Sequence, residues 1–388
     1  MSLAASEKSA VESDVFEQLR MAVRRFVRDR LVPLERKVDE DNAVPAAVVA
    51  EMRELGIAGL TIPIEYGGLG LNCFEEAQIV TELGWTSPAF RSVFGTNIGI
   101  GAQGLILDGT DEQRRTYLPA LAAGKLISSF CLTEPQAGSD AGSLRTAARR
   151  DGTDYVINGT KRFISGAGKA HFMQLMAATD RAKGSRGGIS CFLVDMDTPG
   201  VKLGARYKTM MGDAPWEIII ENVRVPVRNM VGGEGEGFKL GQKWLGAGRV
   251  KHGARALGVA ERALEMATAY AKQRSTFGKP LAERQGIQWK LADIYIELEA
   301  ARLLVFQAAA KLEAGEDART DAYLCKYFAD EMAFRAIDSC LQIHGGIGLT
   351  TDLPIEKFWR QQRSYRITEG ASEVMKHVIA RHVLKTYG

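Results

Sequence analysis

FCLTEPQAGSDAGSLRTAA, residues Phe130–Ala148, stands where the texture of the chain changes. Before it, from about Val15 to Lys125, helical periodicity dominates. VFEQLRMAVRRFVRDRLVPLERKVDE sets Phe16, Leu19, Val23 and Phe26 on one face and charges on the other. Two glycine-rich stretches, EYGGLGLN and GTNIGIGAQG, interrupt these helices. Around and after Phe130–Ala148, from Ser129 to Gly233, come the short β-prone runs DYVING, FMQLMAA, ISCFLVDM and EIIIENVRV. They are bounded by Gly, Pro, Asp and Asn, as in an antiparallel sandwich or barrel. From Phe238 the helical pattern returns in long segments, notably Gly253–Arg274, Gln285–Ala314 and Thr320–His344. No internal repeat or low-complexity linker is visible. This order predicts an α+β chain: a helical domain over residues 1–128, a β-domain over 129–233 and a second helical domain over 234–388.

Composition narrows the function classes. The 388 residues are 46% hydrophobic and 25% charged, values of a soluble globular chain able to bury a large core. A net charge of +3 argues against a nucleic-acid footprint or a polybasic membrane anchor. Cys73, Cys131, Cys191, Cys325 and Cys340 are dispersed, with no CxxC pair and no metal-like clustering with histidine. They read as reduced core thiols. The polar start, MSLAASEKSAVESD, lacks an apolar secretory core. No apolar run approaches the ~20 residues that span a bilayer. The expectation is a cytoplasmic protein, neither membrane-bound nor bound to nucleic acid.

Taken alone, TEPQAGSD is a loop of small residues, hydroxyls and backbone N–H groups, able to approach a planar or phosphorylated ligand closely. It is neither a Walker loop nor a GxGxxG fingerprint, and an ordinary surface turn would read the same. GTKRFISGAG, Gly159–Gly168, follows as a strand-like segment with an aromatic and hydroxyls beside glycines. Near the C-terminus, YRITEGASEVMKHVIARHVL puts Glu369 against a glycine just before a helix. By local rules such an acid interacts with the helix dipole, worth ~0.3–1 kcal/mol.

CLTEPQAGSD, INGTKRFISGAG, RSTFGKPLAERQ, QIHGGIGL and RITEGASEV occur in an order and spacing that resembles the acyl-CoA dehydrogenases. The likeness covers nearly the whole chain. It implies that family's fold, with N-terminal helices, a central antiparallel β-domain and a C-terminal four-helix-bundle domain. It also implies one FAD per subunit in a homotetramer, a dimer of dimers. Residue by residue, Thr133 and Ser139 match hydroxyls that bond the flavin ring and pyrophosphate. Phe130, Leu132 and Gly138 lie in the same flavin-facing stretch. Phe163 stands where the family often has tryptophan against the isoalloxazine, and Ser165 where it usually has threonine. Arg274, Phe277 and Gln285, with Gln342 and Gly346, match residues that reach the ADP part of a neighbouring subunit's FAD. Ala371 and Glu373 replace a usual threonine and glutamine near the adenine. His344 invites a general-base assignment but reads as a packing or interface histidine.

The resemblance sharpens Glu369. Glu369-Gly370 falls on the Glu-Gly pair whose glutamate removes the substrate's α-proton as hydride leaves the β-carbon for flavin N5. It implies two donors for the thioester oxygen, a ribityl hydroxyl of the flavin and the backbone N–H of Glu369. Substrate binding is expected to desolvate the carboxylate and raise its pKa. Some relatives carry the base on a helix, before an arginine. The match here is WLGAGRVKHGARALG, where Gly248 precedes Arg249, and glycine cannot take a proton. Arg249 then helps to hold the active site and the CoA arm. Leu245, Ser139, Thr96, Thr368 and Gly370 complete the expected substrate contacts. Thr368, where a tyrosine is usual, makes one wall smaller and more polar. Arg91, Lys251 and His252 face either the acyl pocket or solvent and subunit contacts.

The function implied is α,β-dehydrogenation of an acyl-CoA to a trans-2-enoyl-CoA, with electrons passed to an electron-transfer flavoprotein. Rivals on the same scaffold are an acyl-CoA reductase, oxidase, monooxygenase or lyase. A DNA-binding flavoprotein is the rival of another class. That branch carries a basic C-terminal extension, and the expectation here is that none follows Gly388.

Overall fold

The computed structural model describes residues 12–388. The opening stretch without a secretory core lies largely in residues 1–11, outside the described residues. By contacts the chain divides into two compact units, each built from separate segments. The first takes residues up to Val49, Leu71–Val93 and Gly246–Gly388. The second takes Ala50–Gly70 and Phe94–Leu245.

The second unit is built on an eight-stranded sheet: β1 Ser128–Cys131, β2 Ala147–Asp151, β3 Asp154–Ile164, β4 Phe172–Ala178, β5 Ile189–Asp195, β6 Val201–Arg206, β7 Trp216–Pro226 and β8 Met230–Val231. Its order is β6-β7-β3-β2-β4-β5-β8, with β1 also on β4. Most pairings are antiparallel, as expected, but β1–β4 and the single β2–β4 bridge are parallel. β4 explains how so apolar a strand is placed, since every residue of FMQLMAA is buried. Phe172, Met176 and Ala178 enter one core with Leu105, Leu118, Leu121 and Trp244. Met173, Leu175 and Ala177 enter another with Ile157, Phe192 and Val225. Strand side chains alternate faces, so a strand covered on both sides loses the alternating pattern. Its one polar residue, Gln174, donates to the carbonyls of Gly101 and Ile100 at 2.6 and 3.2 Å.

The first unit is helical. Gly237–Gln273, which supplies residues to both units, Gln285–Glu313 and Arg319–His344 are its long helices, with Cys73–Gly84, Ile355–Tyr365 and Ser372–Thr386 beside them. Ala256, Ala260, Ala263, Val305, Ala329, Ala333 and Ile337 are among the residues of its core. Small residues let the backbones approach. A Cβ on Gly258 would stand 2.1 Å from the Thr81 carbonyl oxygen, and one on Gly253 2.7 Å from Val305. Glycine normally weakens a helix interior by about 1 kcal/mol, and here close packing decides otherwise. No described helix is long and apolar enough to cross a membrane.

Candidate active site

Glu369 lies in the short connection between the helices Ile355–Tyr365 and Ser372–Thr386. It precedes the helix cap, Ala371, and takes a left-handed backbone with φ 53°, followed by Gly370 at 106°. A non-glycine residue in this region is strained unless its surroundings hold it. Lys326 does so. Its buried Nζ donates to the carbonyls of Tyr365 at 3.0 Å, Thr368 at 3.0 Å and Gly370 at 2.7 Å. In a trans peptide, C=O and N–H point opposite ways, so the bonded Thr368 carbonyl turns the Glu369 N–H away from Lys326.

The Glu369 carboxylate is met by His252, whose Nε2 lies 2.9 Å from Oε1. It therefore bonds a side chain rather than the helix end that local rules suggested. Partial burial pushes the carboxyl up, but the His252 hydrogen bond, with the charges of Arg255 and Arg91, opposes this and keeps it below the usual carboxylate range. His252 in turn meets Arg255 at 2.8 Å. The Arg255 guanidinium stacks 3.3 Å over the Tyr365 ring. Arg249 is buried over the Tyr323 ring at 4.1 Å. A Cβ on Gly248 would stand 3.4 Å from Glu369 Oε2, so the glycine leaves space beside the free oxygen. Thr368 is half-buried, and its hydroxyl is shut from water without a hydrogen-bond partner.

Of the three basic residues with an open direction, His252 and Arg91 act on Glu369, while Lys251 pairs with buried Glu76 at 3.2 Å. His344 is a packing residue. Its Nδ1–H donates to the Cys340 carbonyl at 2.8 Å and its ring stacks on Tyr270. Arg255, Lys326 and Asp330, whose carboxylate pairs with Lys326 at 3.3 Å, were not anticipated. Arg249, His252 and Arg255, spaced by three in a helix of mostly small residues, formed a readable stripe on one face.

The second unit brings the two upstream motifs together. The Arg162 N–H donates to the Thr133 carbonyl at 2.8 Å, and the Ser129 hydroxyl to the Ser165 carbonyl at 3.0 Å. Lys161 bonds the Leu132 carbonyl at 3.1 Å and Glu134 at 2.8 Å. Phe163, with φ 57° and 54% exposed, packs at a tilt on Tyr207, 5.0 Å between centroids. Phe130, Leu132 and Thr133 are half-buried, Ser139 and Ser165 exposed, and a Cβ on Gly138 would touch nothing. An exposed aromatic beside hydroxyls and an open glycine is a set that fits a flavin. Thr96 and Leu245 are half-buried in this unit. In the first unit Arg274, Phe277, Gln285, Gln342, Gly346 and Glu373 are all exposed, and Ala371 is half-buried.

Comparison with known proteins agrees. The acyl-CoA dehydrogenase N-terminal, middle and C-terminal domain families match residues 13–125, 129–223 and 235–384. The chain is 40% identical to acryloyl-CoA reductase (NADH) from Anaerotignum propionicum over 373 residues, 95% of this chain and 94% of that one. It superposes on butyryl-CoA dehydrogenase from Megasphaera elsdenii with a TM-score of 0.91 at 33% identity, covering 96% and 99% of the two chains. It matches PigA with FAD and proline with a TM-score of 0.93 at 26% identity, covering all of both chains. The chain belongs to the acyl-CoA dehydrogenase family. It is a flavoprotein oxidoreductase acting on CH–CH groups, with FAD as its cofactor.

Proposed function

We propose that this enzyme dehydrogenates a saturated acyl-CoA at its α and β carbons, with Glu369 as the base. The observation that carries the reading is the Glu369 loop: an ionised carboxylate on a strained backbone, beside a space that Gly248 leaves open. Bound FAD supplies the acceptor for the hydride leaving the β-carbon. Phe130, Leu132, Thr133, Gly138, Ser139, Phe163 and Ser165 hold its flavin half. Arg274, Phe277, Gln285, Gln342, Gly346, Ala371 and Glu373 hold the ADP half of a neighbouring subunit's FAD. Ser139, Leu245, Arg249, Thr96, Thr368 and Gly370 contact the thioester. The Glu369 N–H, turned away from Lys326, donates to the thioester oxygen as enolate charge develops. The acyl-CoA removes the remaining water from the half-exposed carboxylate and so raises its basicity toward the range that proton abstraction needs. The protein works in the cytoplasm as a homotetramer and hands its electrons to an electron-transfer flavoprotein.

The relative named as an acryloyl-CoA reductase supports a second reading, reduction of an enoyl-CoA. That direction asks Glu369 to deliver a proton, and a carboxyl kept below its usual range is a proton acceptor in the empty site. Anaerobic bleaching of the flavin by a panel of acyl-CoAs tests the first reading. At least one saturated thioester should bleach it. Glu369→Gln should keep FAD and bleach about 100-fold or more slowly. Full activity in that variant would refute the assignment of the base.

A further inference from the structure

Two oxygens of one carboxylate meet different surroundings at Glu369. Oε1 is 2.9 Å from His252 Nε2, while Oε2 faces the gap beside Gly248, where a Cβ would stand 3.4 Å away. The protons on His252 follow from its other neighbour. A guanidinium has only donors, and Arg255 lies 2.8 Å from Nδ1, so Nδ1 is the acceptor. A neutral imidazole has one N–H, which is then on Nε2 and donates to Oε1. Asp330 Oδ2, at 3.7 Å from Nδ1, is too far to compete with Arg255. The imidazole is also fixed in place. His252 is 5% and Arg255 4% exposed, Arg255 lies on the Tyr365 ring, and that ring's edge meets His252.

We propose that His252 is a positioning residue for the base: it holds Oε1 of Glu369 and leaves Oε2 as the oxygen that accepts the α-proton. The proposal rests on the dehydrogenase reading above. In the step, the α C–H bond breaks and an O–H bond forms on Oε2. The electron pair of the α C–H bond passes through the thioester enolate into the Cα=Cβ double bond, while the β C–H bond breaks and its pair leaves with hydride, which bound FAD would accept. Glu369 becomes a neutral acid whose Oε1, now the carbonyl oxygen, still accepts from Nε2–H. No proton passes to His252, and the carboxyl cannot rotate without breaking that bond.

The charged groups around the pair come from several elements. Glu369 feels His252, Arg255 and Arg249 on the Gly237–Gln273 helix and Arg91 at the end of Pro88–Arg91. His252 faces Arg255, Glu369 and Asp330, and Asp330 is paired with Lys326 at 3.3 Å. Only His252 hydrogen-bonds the carboxylate from among these. Without it, burial pushes the carboxyl up against the weaker opposition of Arg255 and Arg91.

Two measurements test this. In protein labelled with ¹⁵N-histidine, His252 should be the neutral Nε2–H tautomer, and Glu369→Gln should shift its signal. An imidazolium, an Nδ1–H tautomer or an unmoved signal overturns the proposal. This readout needs no turnover, so it stands even if no thioester bleaches the flavin and the dehydrogenase reading fails. The second is the pH profile of kcat/KM for flavin bleaching by an active acyl-CoA. His252→Leu should gain an acid limb, rising by about one pH unit or more over the wild type. His252→Gln, whose amide N–H can still reach Oε1, should keep the wild-type profile. Superimposable profiles for His252→Leu and wild type overturn the proposal. If His252→Leu does not fold, the ¹⁵N result and a changed profile in His252→Gln still decide against it.

Discussion

Glu134 stands in the middle of TEPQAGSD, yet its side chain faces inward. It is 4% exposed and accepts from the backbone N–H groups of Arg145 and Thr146, from Gln136 and from Lys161. Burial pushes its carboxyl up, and Lys161 with those hydrogen bonds brings it down to about 2. Lys161 is itself pushed down by burial and held up by Glu134. The pair is ionised, because four donors converge on the carboxylate. A carboxyl lowered from 4.5 adds stability above that pH and loses it as pH falls through about 2. Glu134→Gln should therefore lower the unfolding free energy at pH 7 by about 3 kcal/mol, read as a lower denaturant midpoint, since it strands a buried lysine. The gap from wild type should narrow as the medium is taken from about pH 4.5 toward 2. Since Lys161 also bonds the Leu132 carbonyl, the variant should hold FAD less tightly, measured by flavin released on dilution.

One side chain organises the Tyr365–Gly370 connection. Lys326→Met leaves the carbonyls of Tyr365, Thr368 and Gly370 without their donor and Asp330 without its cation. With the Glu369 N–H no longer directed, bleaching at equal FAD content should slow about 100-fold, the usual cost of one oxyanion donor. Loss of rate only in proportion to lost FAD would refute this. Here the limits of a linear reading become physical. Glu369-Gly370 and Gly248-Arg249 stood out in the sequence through the family resemblance, because each pair is contiguous in the chain. Lys326 and Asp330 lie about forty residues upstream on another helix, and no period links them to Glu369. The Gly237–Gln273 helix begins well before Gly253, the start of the long segment the pattern suggested. Its glycines are poor helix formers, retained where Thr81 and Val305 come close. The strands were legible from turn residues and β-branched runs, whereas β4's parallel partner is set by the fold and leaves no local trace.

Across the whole molecule, the ADP-side residues present a puzzle that one chain does not solve. Phe277 is 96% exposed and held at φ 48°, with the Arg284 guanidinium 6.0 Å from its ring. Exposing a strained aromatic costs free energy with no return inside the chain. The FAD site shared between subunits, as proposed above, would give that return, and a mixing experiment tests it. Arg274→Ala alone should weaken FAD binding about tenfold, as loss of one charge-assisted contact to phosphate implies. Phe163→Ala should weaken it through the flavin half. If each site takes Arg274 from one chain and Phe163 from another, co-expressing the two variants assembles sites in which both residues are native. With random pairing these should be about a quarter of all sites, seen as a tight FAD fraction that neither variant shows alone. If both residues served the same chain's FAD, no such fraction would form, and the shared site would be refuted.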